Sequence, residues 1–359
     1  MKSFLLITFF SLMAPLFAHA DNDWAMFKHK GDSCMRAYDV FHATQYYQQS
    51  IALNPSNVDV RRQLASCYRQ SADNMACVSC LDNIPRDSVN HRDMRMYYYC
   101  MLDMGDKDKT AYWGDRIVAT YPYDSEIVGS LATYYNDNNM PGKAEAVAKS
   151  YITQCDSTNL YVNKAYAYSL YLQFRYDEAI PVYNKLIAQG YDNFISNFVL
   201  GLCYEHFSQY ANYPKAHYHL TRASKFKDNN ATCFYRLALV EKELYMDSLA
   251  LEHFNRAIET ATPRARMCDI YKNMADLHFQ HSQYEAAGRA FELSLLYDDE
   301  DTPVNYYNAA QMYIASKNDL KAKLYLQLFL SKAVRLKDDG QNKLLVSKAK
   351  AQLAQYGAR

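Results

Sequence analysis

The stretch CDIYKNMADLHFQHSQYEAAGRAFELSLLYDD, residues Cys268 to Asp299, has the pattern of two short amphipathic helices joined by a polar turn. Apolar and small residues at spacings of three, four and seven fall on one face of the first helix, namely Tyr271, Met274, Ala275 and His278. One face of the second helix carries Ala287, Phe291 and Ser294. The small side chains of Ala275 and Ala287 allow the two helices to approach closely. This stretch therefore predicts one helix-turn-helix unit.

The same pattern recurs along the chain at a mean spacing of about 35 residues. The alanine that opens the second helix is assigned to Ala43, Ala76, Ala111, Ala144, Ala179, Ala216, Ala250, Ala287 and Ala322. The small residue of the first helix is assigned to Gly31, Ala65, Ala132, Ala167, Gly201, Ala238, Ala275 and Ala310, with Tyr98 in the third unit. In that unit Asp115 stands where the pattern expects a bulky apolar residue, so the third unit is the least regular.

With this 35-residue period and these small residues at corresponding positions of each unit, the chain resembles the tetratricopeptide repeat family. The resemblance implies an all-α, right-handed α-solenoid (superhelix) of about nine helix pairs, with residues 21–336 as the repeat array. Residues 337–359 are expected to form a C-terminal capping helix from Gln341 to Tyr356. Its inward face is assigned to Leu344, Leu345, Ala349 and Leu353, which would cover the last pair.

Residues 1–20 have the features of a secretory signal peptide: a single basic residue at Lys2, a short apolar run, and small residues before a cleavage point. Cleavage is expected after Ala20, and the mature chain is expected to be exported to a bacterial periplasm. The alternative is an N-terminal anchor that is not cleaved. No later segment is apolar enough to predict a membrane span.

Charge and cysteine content limit the possible functions. The 39 basic and 39 acidic residues balance, so nucleic acid is not an expected partner. An odd count of nine cysteines leaves at least one unpaired. Several of them stand where a repeat needs a small apolar residue, as Cys203 does. Most are therefore interpreted as buried core residues.

Cys77 and Cys80 form a CxxC motif, which is redox-active when it lies at a helix N-terminus after a strand. Here the motif falls within a second helix of the repeat, where no strand is predicted. A structural role is the favoured interpretation. A local disulfide and a catalytic dithiol are the alternatives.

His278 and His281, with Asp276 nearby, suggest a metal site, but a zinc site needs three or four convergent ligands. His278 also occupies a packing slot of the repeat. The sequence lacks a phosphate-binding glycine loop, a nucleophile elbow and a paired-carboxylate motif. We therefore predict neither a metal nor a cofactor, and no enzymatic activity.

In the tetratricopeptide repeat family the first helices line a concave groove. Carried over to this chain, the resemblance assigns the groove to Lys164, Tyr168, Tyr171, Phe198, Tyr235, Lys272, Asn273, Asp276, Tyr307, Asn308 and Gln311. Aromatic rings beside amides suit an extended peptide. The alternative is that the tyrosines pack between neighbouring first helices.

These observations together predict an exported, non-catalytic scaffold that binds a peptide or protein partner of unknown identity in this groove. Two other functions remain open. One is a glycan-binding component of an outer-membrane uptake system, which would use aromatic platforms. The other is a periplasmic thiol-redox protein that uses Cys77 and Cys80.

Overall fold

A computed structural model describes residues 23–207, 212–260, 263–337 and 339–356, apart from the side chain of residue 265. These residues form α-helices joined by short turns, and no β-strand occurs among them. The predicted all-α fold of successive helix pairs is therefore confirmed. The predicted signal peptide lies outside the described residues.

The chain divides into two compact units, Met1–Gln173 and Phe174–Arg359. The helices of the first unit are α1 (23–36), α2 (Val40–Leu53), α3 (Val58–Gln70), α4 (Asn74–Asp82), α5 (His91–Met104), α6 (Lys107–Thr120), α7 (Ser125–Asp137), α8 (Pro141–Gln154) and α9 (Leu160–Leu172). A 3₁₀ turn, Arg86–Ser88, separates α4 from α5. Each odd-numbered helix is the first of a pair, and the even-numbered helix after it is the second.

The second unit begins with α10, the second helix of the fifth pair. Its helices are α10 (Tyr176–Ala188), α11 (Phe194–Glu205), α12 (Tyr213–Phe226), α13 (Ala231–Glu243), α14 (Asp247–Glu259), α15 (Arg264–Gln280), α16 (Tyr284–Leu295), α17 (Pro303–Ala315), α18 (Asp319–Lys332) and α19 (Gly340–Gln355). A 3₁₀ turn, Ala333–Arg335, follows α18. Within the described residues, nine helix pairs and one terminal helix thus follow the predicted order.

Short polar side chains fix where most first helices begin. Asn57, Asn90, Asp124, Asn159, Asn193 and Asn230 each accept a hydrogen bond from the backbone N–H three residues later. Such caps satisfy an amide that the helix itself leaves without a partner. In five of these helices the small packing residue comes eight residues after the cap, and in the helix capped by Asn90 that position holds the buried Tyr98, so the cap also sets which face is buried.

The second helices bury the residues four, eight and eleven positions after the cap in all nine pairs. This register corrects two predicted positions. In the second pair the first of these positions, four residues after the cap, is occupied by Cys77, which is buried, whereas Ala76 is only half-buried. In the third pair the slot belongs to Thr110, and Ala111 is half-buried. Both predictions were wrong by one residue because an alanine adjoins a less typical occupant of the slot.

The third pair exchanges the sizes of its two packing residues. Tyr98 is fully buried on α5, where most other first helices have alanine or glycine, and it faces Gly114 on α6. A Cβ atom on Gly114 would lie 2.5 Å from Leu131 Cδ1 and 3.1 Å from the Tyr98 ring. Asp115, the apparent misfit, is exposed and accepts a hydrogen bond from the Tyr135 hydroxyl. The third pair is therefore a regular unit with an inverted size pattern.

The turns within pairs share one backbone conformation. The residue before the cap of the second helix has a positive φ in eight pairs: Tyr38, Ala72, Gly105, Asn139, Phe174, Tyr245, Ser282 and Lys317. The corresponding residue of the sixth pair lies outside the described residues. Because L-residues rarely adopt this left-handed conformation, each non-glycine residue at this position has a higher backbone conformational energy than glycine would have.

The terminal helix α19 packs against the last pair. Ala349 is fully buried, and Leu345 and Leu353 contact the cluster that contains Leu326 and Phe329. Leu344 was predicted to face inward, but it is mostly exposed. It lies on the solvent side because the buried face of α19 is narrow and is centred on Ala349.

Candidate partner-binding surface

The predicted groove residues lie at fixed offsets from the small packing residue of each first helix. Side chains three positions before and one position after that residue flank the buried stripe. In the second unit, the position three residues before the slot holds Phe198 on α11, Tyr235 on α13 and Lys272 on α15, and all three are half-buried. We call these residues, with Ile195, Asn273 and Asp276, the first-helix face.

The α11 end of this face is apolar. The Phe198 ring stacks on Phe194 with their centroids 5.3 Å apart, and Lys227 Nζ lies 5.6 Å from the centroid of Phe194. Ile195, which the sequence prediction missed, exposes 53% of its surface beside them. It stands six residues before Gly201 and three before Phe198, so one further step of three residues along the same face could have identified it. The α11 end thus presents rings and an aliphatic side chain.

The middle of the face is formed by Tyr235. The Arg266 guanidinium lies 5.4 Å from the centroid of its ring. Burial and the nearby charge of Asp269 raise the pKa of the Tyr235 hydroxyl. That hydroxyl is therefore neutral at physiological pH and can donate or accept a hydrogen bond.

The α15 end is polar and includes a cation that the prediction missed. Lys242, from α13, places its Nζ 2.9 Å from Asn273 Oδ1 and 3.2 Å from Asp276 Oδ2. Burial raises the pKa of the Cys268 thiol, and the nearby Lys272 offsets only part of that rise. Two residues of the predicted edge, Asn273 and Asp276, thus share the Lys242 ammonium.

On α17, two of the three predicted groove residues are held in contacts with the helices that follow. Tyr307 is buried and its ring packs 5.2 Å from that of Phe329, so the expectation of an exposed ring is wrong there. Gln311 exchanges two 3.0 Å hydrogen bonds with Gln352 of α19. Asn308 is half-buried. The terminal helix covers this end because the last pair has no following pair against which to pack.

In the first unit the predicted residues lie on α9. Tyr168 is 36% exposed and stacks on Tyr171, with the two centroids 5.9 Å apart. Lys164, four residues before Tyr168, is half-buried. These residues form an aromatic platform on one helix.

The CxxC cysteines have no geometry for thiol catalysis. Cys77 is fully buried in a packing slot, and Cys80 is half-buried. Burial raises the pKa of the Cys80 thiol to about 11. A thiol with such a pKa is a poor nucleophile at neutral pH.

The histidines considered as metal ligands have other partners. His278 Nδ1 lies 2.7 Å from Gln283 Oε1, and His281 Nε2 lies 2.5 Å from Asp247 Oδ2. Within the described ranges, no group of three or more histidine, cysteine, aspartate or glutamate residues could hold a metal ion.

Two surface cavities of about 510 Å³ lie away from the predicted residues. One is formed in the first unit by Met75, Met101, Met104 and neighbouring residues of α4 to α6. The other lies between the end of α18 and α19. Among the helices that the structure describes, none is both long and apolar enough to cross a membrane.

Comparison with known proteins gives matches in structure only. No protein-family model matches the chain, and no curated protein matches it by sequence. A tetratricopeptide repeat protein from Parabacteroides merdae is similar with a TM-score of 0.48 at 12% identity, over 72% of this chain and 99% of that one. YrrB, a TPR protein with an unusual peptide-binding site, has a TM-score of 0.46 at 16% identity, over 52% of this chain and 92% of that one. Cut9, in a complex with Hcn1, has a TM-score of 0.44 at 15% identity, over 92% of this chain and 66% of that one.

All three TM-scores are below 0.5, so the fold assignment rests on features of this chain. Nine helix pairs follow one another at a spacing close to 35 residues. Each pair buries the same three positions of its second helix. These features give the chain the fold of successive helix pairs that its resemblance to the tetratricopeptide repeat family predicts.

Proposed function

We propose that this chain is a non-catalytic scaffold that binds an extended peptide segment of a protein partner on the first-helix face of the second unit. The observation that carries the proposal is the alignment of Phe198, Tyr235 and Lys272 at one register on α11, α13 and α15, all half-buried. A row of partly exposed side chains on successive helices is a surface on which an extended chain can lie.

The chemistry of the face changes from one end to the other. Phe198 and Ile195 offer apolar contact at α11, while Lys272 and Asp276 offer charges at α15. Aromatic side chains contribute strongly to protein interfaces because they bury a large area with few rotatable bonds. The partner segment is therefore expected to carry an apolar residue near one end and a charged residue toward the other.

The proposed location is the periplasm of a bacterium. It is supported by the signal-peptide features of residues 1–20 and by the expected cleavage after Ala20. The partner would accordingly be another exported protein.

Glycan binding is a second candidate, and the Tyr168–Tyr171 platform on α9 is the observation that favours it. An aromatic face 36% exposed at Tyr168 can stack against an apolar sugar face. The thiol-redox alternative has no such support, because Cys77 is fully buried and burial raises the pKa of the Cys80 thiol.

The decisive experiment compares partners captured from a periplasmic extract by the wild-type chain and by a Phe198→Ala, Tyr235→Ala variant. A Tyr218→Ala variant is the matched control, because Tyr218 is an exposed aromatic residue on the second helix α12. The proposal predicts that partner capture is lost in the double variant and kept in the control. Retention of every partner by the double variant would refute the proposed face.

A panel of immobilised sugars separates the second candidate from the first. Sugar binding that is lost in a Tyr168→Ala, Tyr171→Ala variant, with no protein captured by the wild-type chain, would favour glycan recognition.

A further inference from the structure

A concave surface of the second unit combines an apolar floor with basic side chains. It is the cavity of about 510 Å³ between the 3₁₀ turn Ala333–Arg335 and the helix α19. Val334, Leu336 and Val346 form its apolar part. Leu336 and Val346 also pack against the buried cluster of the last pair, whereas Val334 is 87% exposed. Because ligand sites in proteins have volumes of about 300–1,000 Å³, this cavity is large enough to take side chains of another molecule.

Three lysines line the same cavity: Lys337, Lys343 and Lys350. Lys343 and Lys350 are two helical turns apart on α19, which is about 10 Å along the helix axis. Val346 and Ser347 stand between them at spacings of three and four residues, and both line the cavity. One stripe of α19 therefore places an aliphatic side chain and a hydroxyl between two ammonium groups.

The positive charge of this surface is not balanced by the described residues around it. The helix α19 contains three lysines and no aspartate or glutamate, although the whole chain has 39 basic and 39 acidic residues. None of the described residues that line the cavity is acidic. Asp339 precedes α19 and caps it by accepting hydrogen bonds from Asn342. The cavity is therefore an electropositive concavity, which attracts anionic groups.

Neighbouring basic residues have partners within the fold. Lys332 Nζ lies 2.6 Å from Asp301 Oδ2, and Arg335 Nη1 lies 2.9 Å from the same oxygen. Among the residues that the structure describes, no carboxylate forms an ion pair with Lys337 or Lys350. Ion pairs thus hold the 3₁₀ turn in place, while Lys337 and Lys350 are available to another molecule.

We propose that this cavity binds an acidic segment of a protein partner, in which carboxylate side chains flank apolar ones. The carboxylates accept charge-assisted hydrogen bonds from Lys343 and Lys350, and the apolar side chains between them pack on Val334 and Val346. The cavity shares no residue with the first-helix face. It is therefore a second contact surface, whose existence does not depend on the first.

The shape of the cavity favours a peptide over a lipid surface. The lysines line a concave site, which a flat layer of lipid headgroups cannot enter but a peptide side chain can. The apolar floor also distinguishes a peptide from a bare anion such as phosphate, because a bare anion would leave Val334 exposed to water.

Fluorescence anisotropy on the full chain tests the proposal with three labelled synthetic peptides of equal length. The first repeats Glu-Leu-Leu-Glu, whose two carboxylates lie about 10 Å apart in an extended chain. The second has lysine in place of each glutamate, and the third has serine in place of each leucine. The glutamate–leucine peptide should bind, more weakly as salt is added, and each of the others should bind at least about tenfold more weakly. Absence of glutamate–leucine peptide binding, or equal binding of the lysine peptide, would overturn the proposal.

Vesicles of phosphatidylglycerol and phosphatidylcholine test the lipid surface by co-sedimentation. The chain should stay in the supernatant. Co-sedimentation that is lost in Lys350→Glu would assign the cavity to a membrane instead of a peptide.

Charge reversal at two lysines of α19 gives a matched pair of variants. Lys350 lines the cavity, whereas Lys348 is exposed and does not line it. Lys350→Glu should weaken binding of the glutamate–leucine peptide by about tenfold, the effect of losing one charge-assisted hydrogen bond. Lys348→Glu should weaken it by less than about twofold. Equal losses in the two variants would mean that net charge, and not the cavity, attracts the peptide.

The Phe198→Ala, Tyr235→Ala variant separates the cavity from the first-helix face. It should bind the glutamate–leucine peptide as the wild-type chain does. Loss of that binding would place the peptide on the first-helix face and contradict the cavity assignment. Partner capture through the first-helix face can fail without changing this result, so the two proposals are tested separately.

Discussion

The third and sixth helix pairs solve the same packing problem in opposite ways. In the sixth pair Gly201 on the first helix accommodates Leu220 on the second, and a Cβ atom on Gly201 would lie 2.7 Å from Leu220 Cγ. In the third pair the large residue is Tyr98 on the first helix, and the small one is Gly114 on the second. The comparison shows that the large side chain at the helix crossing can come from either helix, with glycine on the other. Close packing requires this, because a protein interior tolerates neither voids nor overlaps.

The largest expected effect tests the inverted pair. Tyr98→Ala should destabilise the protein by about 3–5 kcal/mol, because it leaves a cavity at a fully buried ring and removes the hydrogen bond to Ser130. Gly114→Leu should cost less in this variant than it does alone, because the Tyr98 ring 3.1 Å from the added Cβ atom is gone, while Leu131 at 2.5 Å remains. Urea unfolding followed by circular dichroism measures both changes.

Tyr112→Ala on α6 provides the control, because its ring is 57% exposed and its loss should cost less than about 1 kcal/mol. If Gly114→Leu were as harmful with Tyr98→Ala as it is alone, the two positions would not share one volume. The third pair would then not be an inverted form of the sixth.

The sequence predicted the fold of helix pairs but not every buried position within the pairs. The 35-residue period identifies the fold because each pair must bury the same face, and this requirement leaves a repeating pattern of small residues. It did not identify the slots of the second and third pairs, since Cys77 and Thr110 fill them while Ala76 and Ala111 stand beside them. The local pattern could not separate neighbouring residues. The side-chain caps Asp73 and Asp106, four residues earlier, fix the register.

The predicted surface followed less directly from the sequence. Offsets from the small slot place Phe198 and Tyr235 on the partly exposed face, but they cannot show what the next helix covers. Tyr307 and Gln311 have the right offsets, yet one packs on Phe329 and the other bonds to the terminal helix. Contacts between consecutive elements depend on three-dimensional placement, which a single repeat pattern does not contain.

The second prediction concerns the small side of the sixth pair. Gly201→Ala should destabilise the protein by about 1–3 kcal/mol, because the added methyl group meets Leu220 Cγ and, at 3.3 Å, the Leu220 backbone nitrogen. Gly142→Ala on α8 is the matched control, since a Cβ atom there has no neighbour within 4 Å and alanine favours the helix. The control should be neutral or stabilising by up to about 1 kcal/mol. Equal losses in the two variants would show that helix glycine, and not the Leu220 contact, sets the effect.

The third prediction concerns the turns of neighbouring pairs, where the third pair differs from most others. Gly105 has a φ of 72° before α6, whereas Ala72 has a φ of 58° before α4. Gly105→Ala should therefore cost about 1 kcal/mol, and Ala72→Gly should gain up to about that amount. Thermal unfolding of the two variants measures the difference. Changes of the same sign would mean that the left-handed conformation does not govern stability at these turns.

The smallest expected effect is the response of the two regions to acid. Hydrogen bonds from Arg222 and Asn197 lower the pKa of Asp192, beside the sixth pair, to about 2. Asp124 caps the helix after the third pair. Burial raises the pKa of its carboxyl, but hydrogen bonds from Arg95 and the Ile127 amide outweigh this effect, so the pKa is lowered overall. Both folded-state pKa values lie below those of the unfolded chain, so these contacts stabilise the protein at neutral pH.

This stabilisation is lost as the pH falls through the folded-state value. For Asp192 the loss should occur from roughly pH 4 to pH 2 and should amount to less than about 1 kcal/mol, because solvent screens the pair. Asp192→Asn should flatten the pH dependence of hydrogen exchange in α11 and α12 over that range. Added salt should weaken the Asp192 contribution more than that of Asp124, whose side chain is only 5% exposed against 25% for Asp192. Equal salt sensitivity would show that burial does not distinguish the two carboxylates.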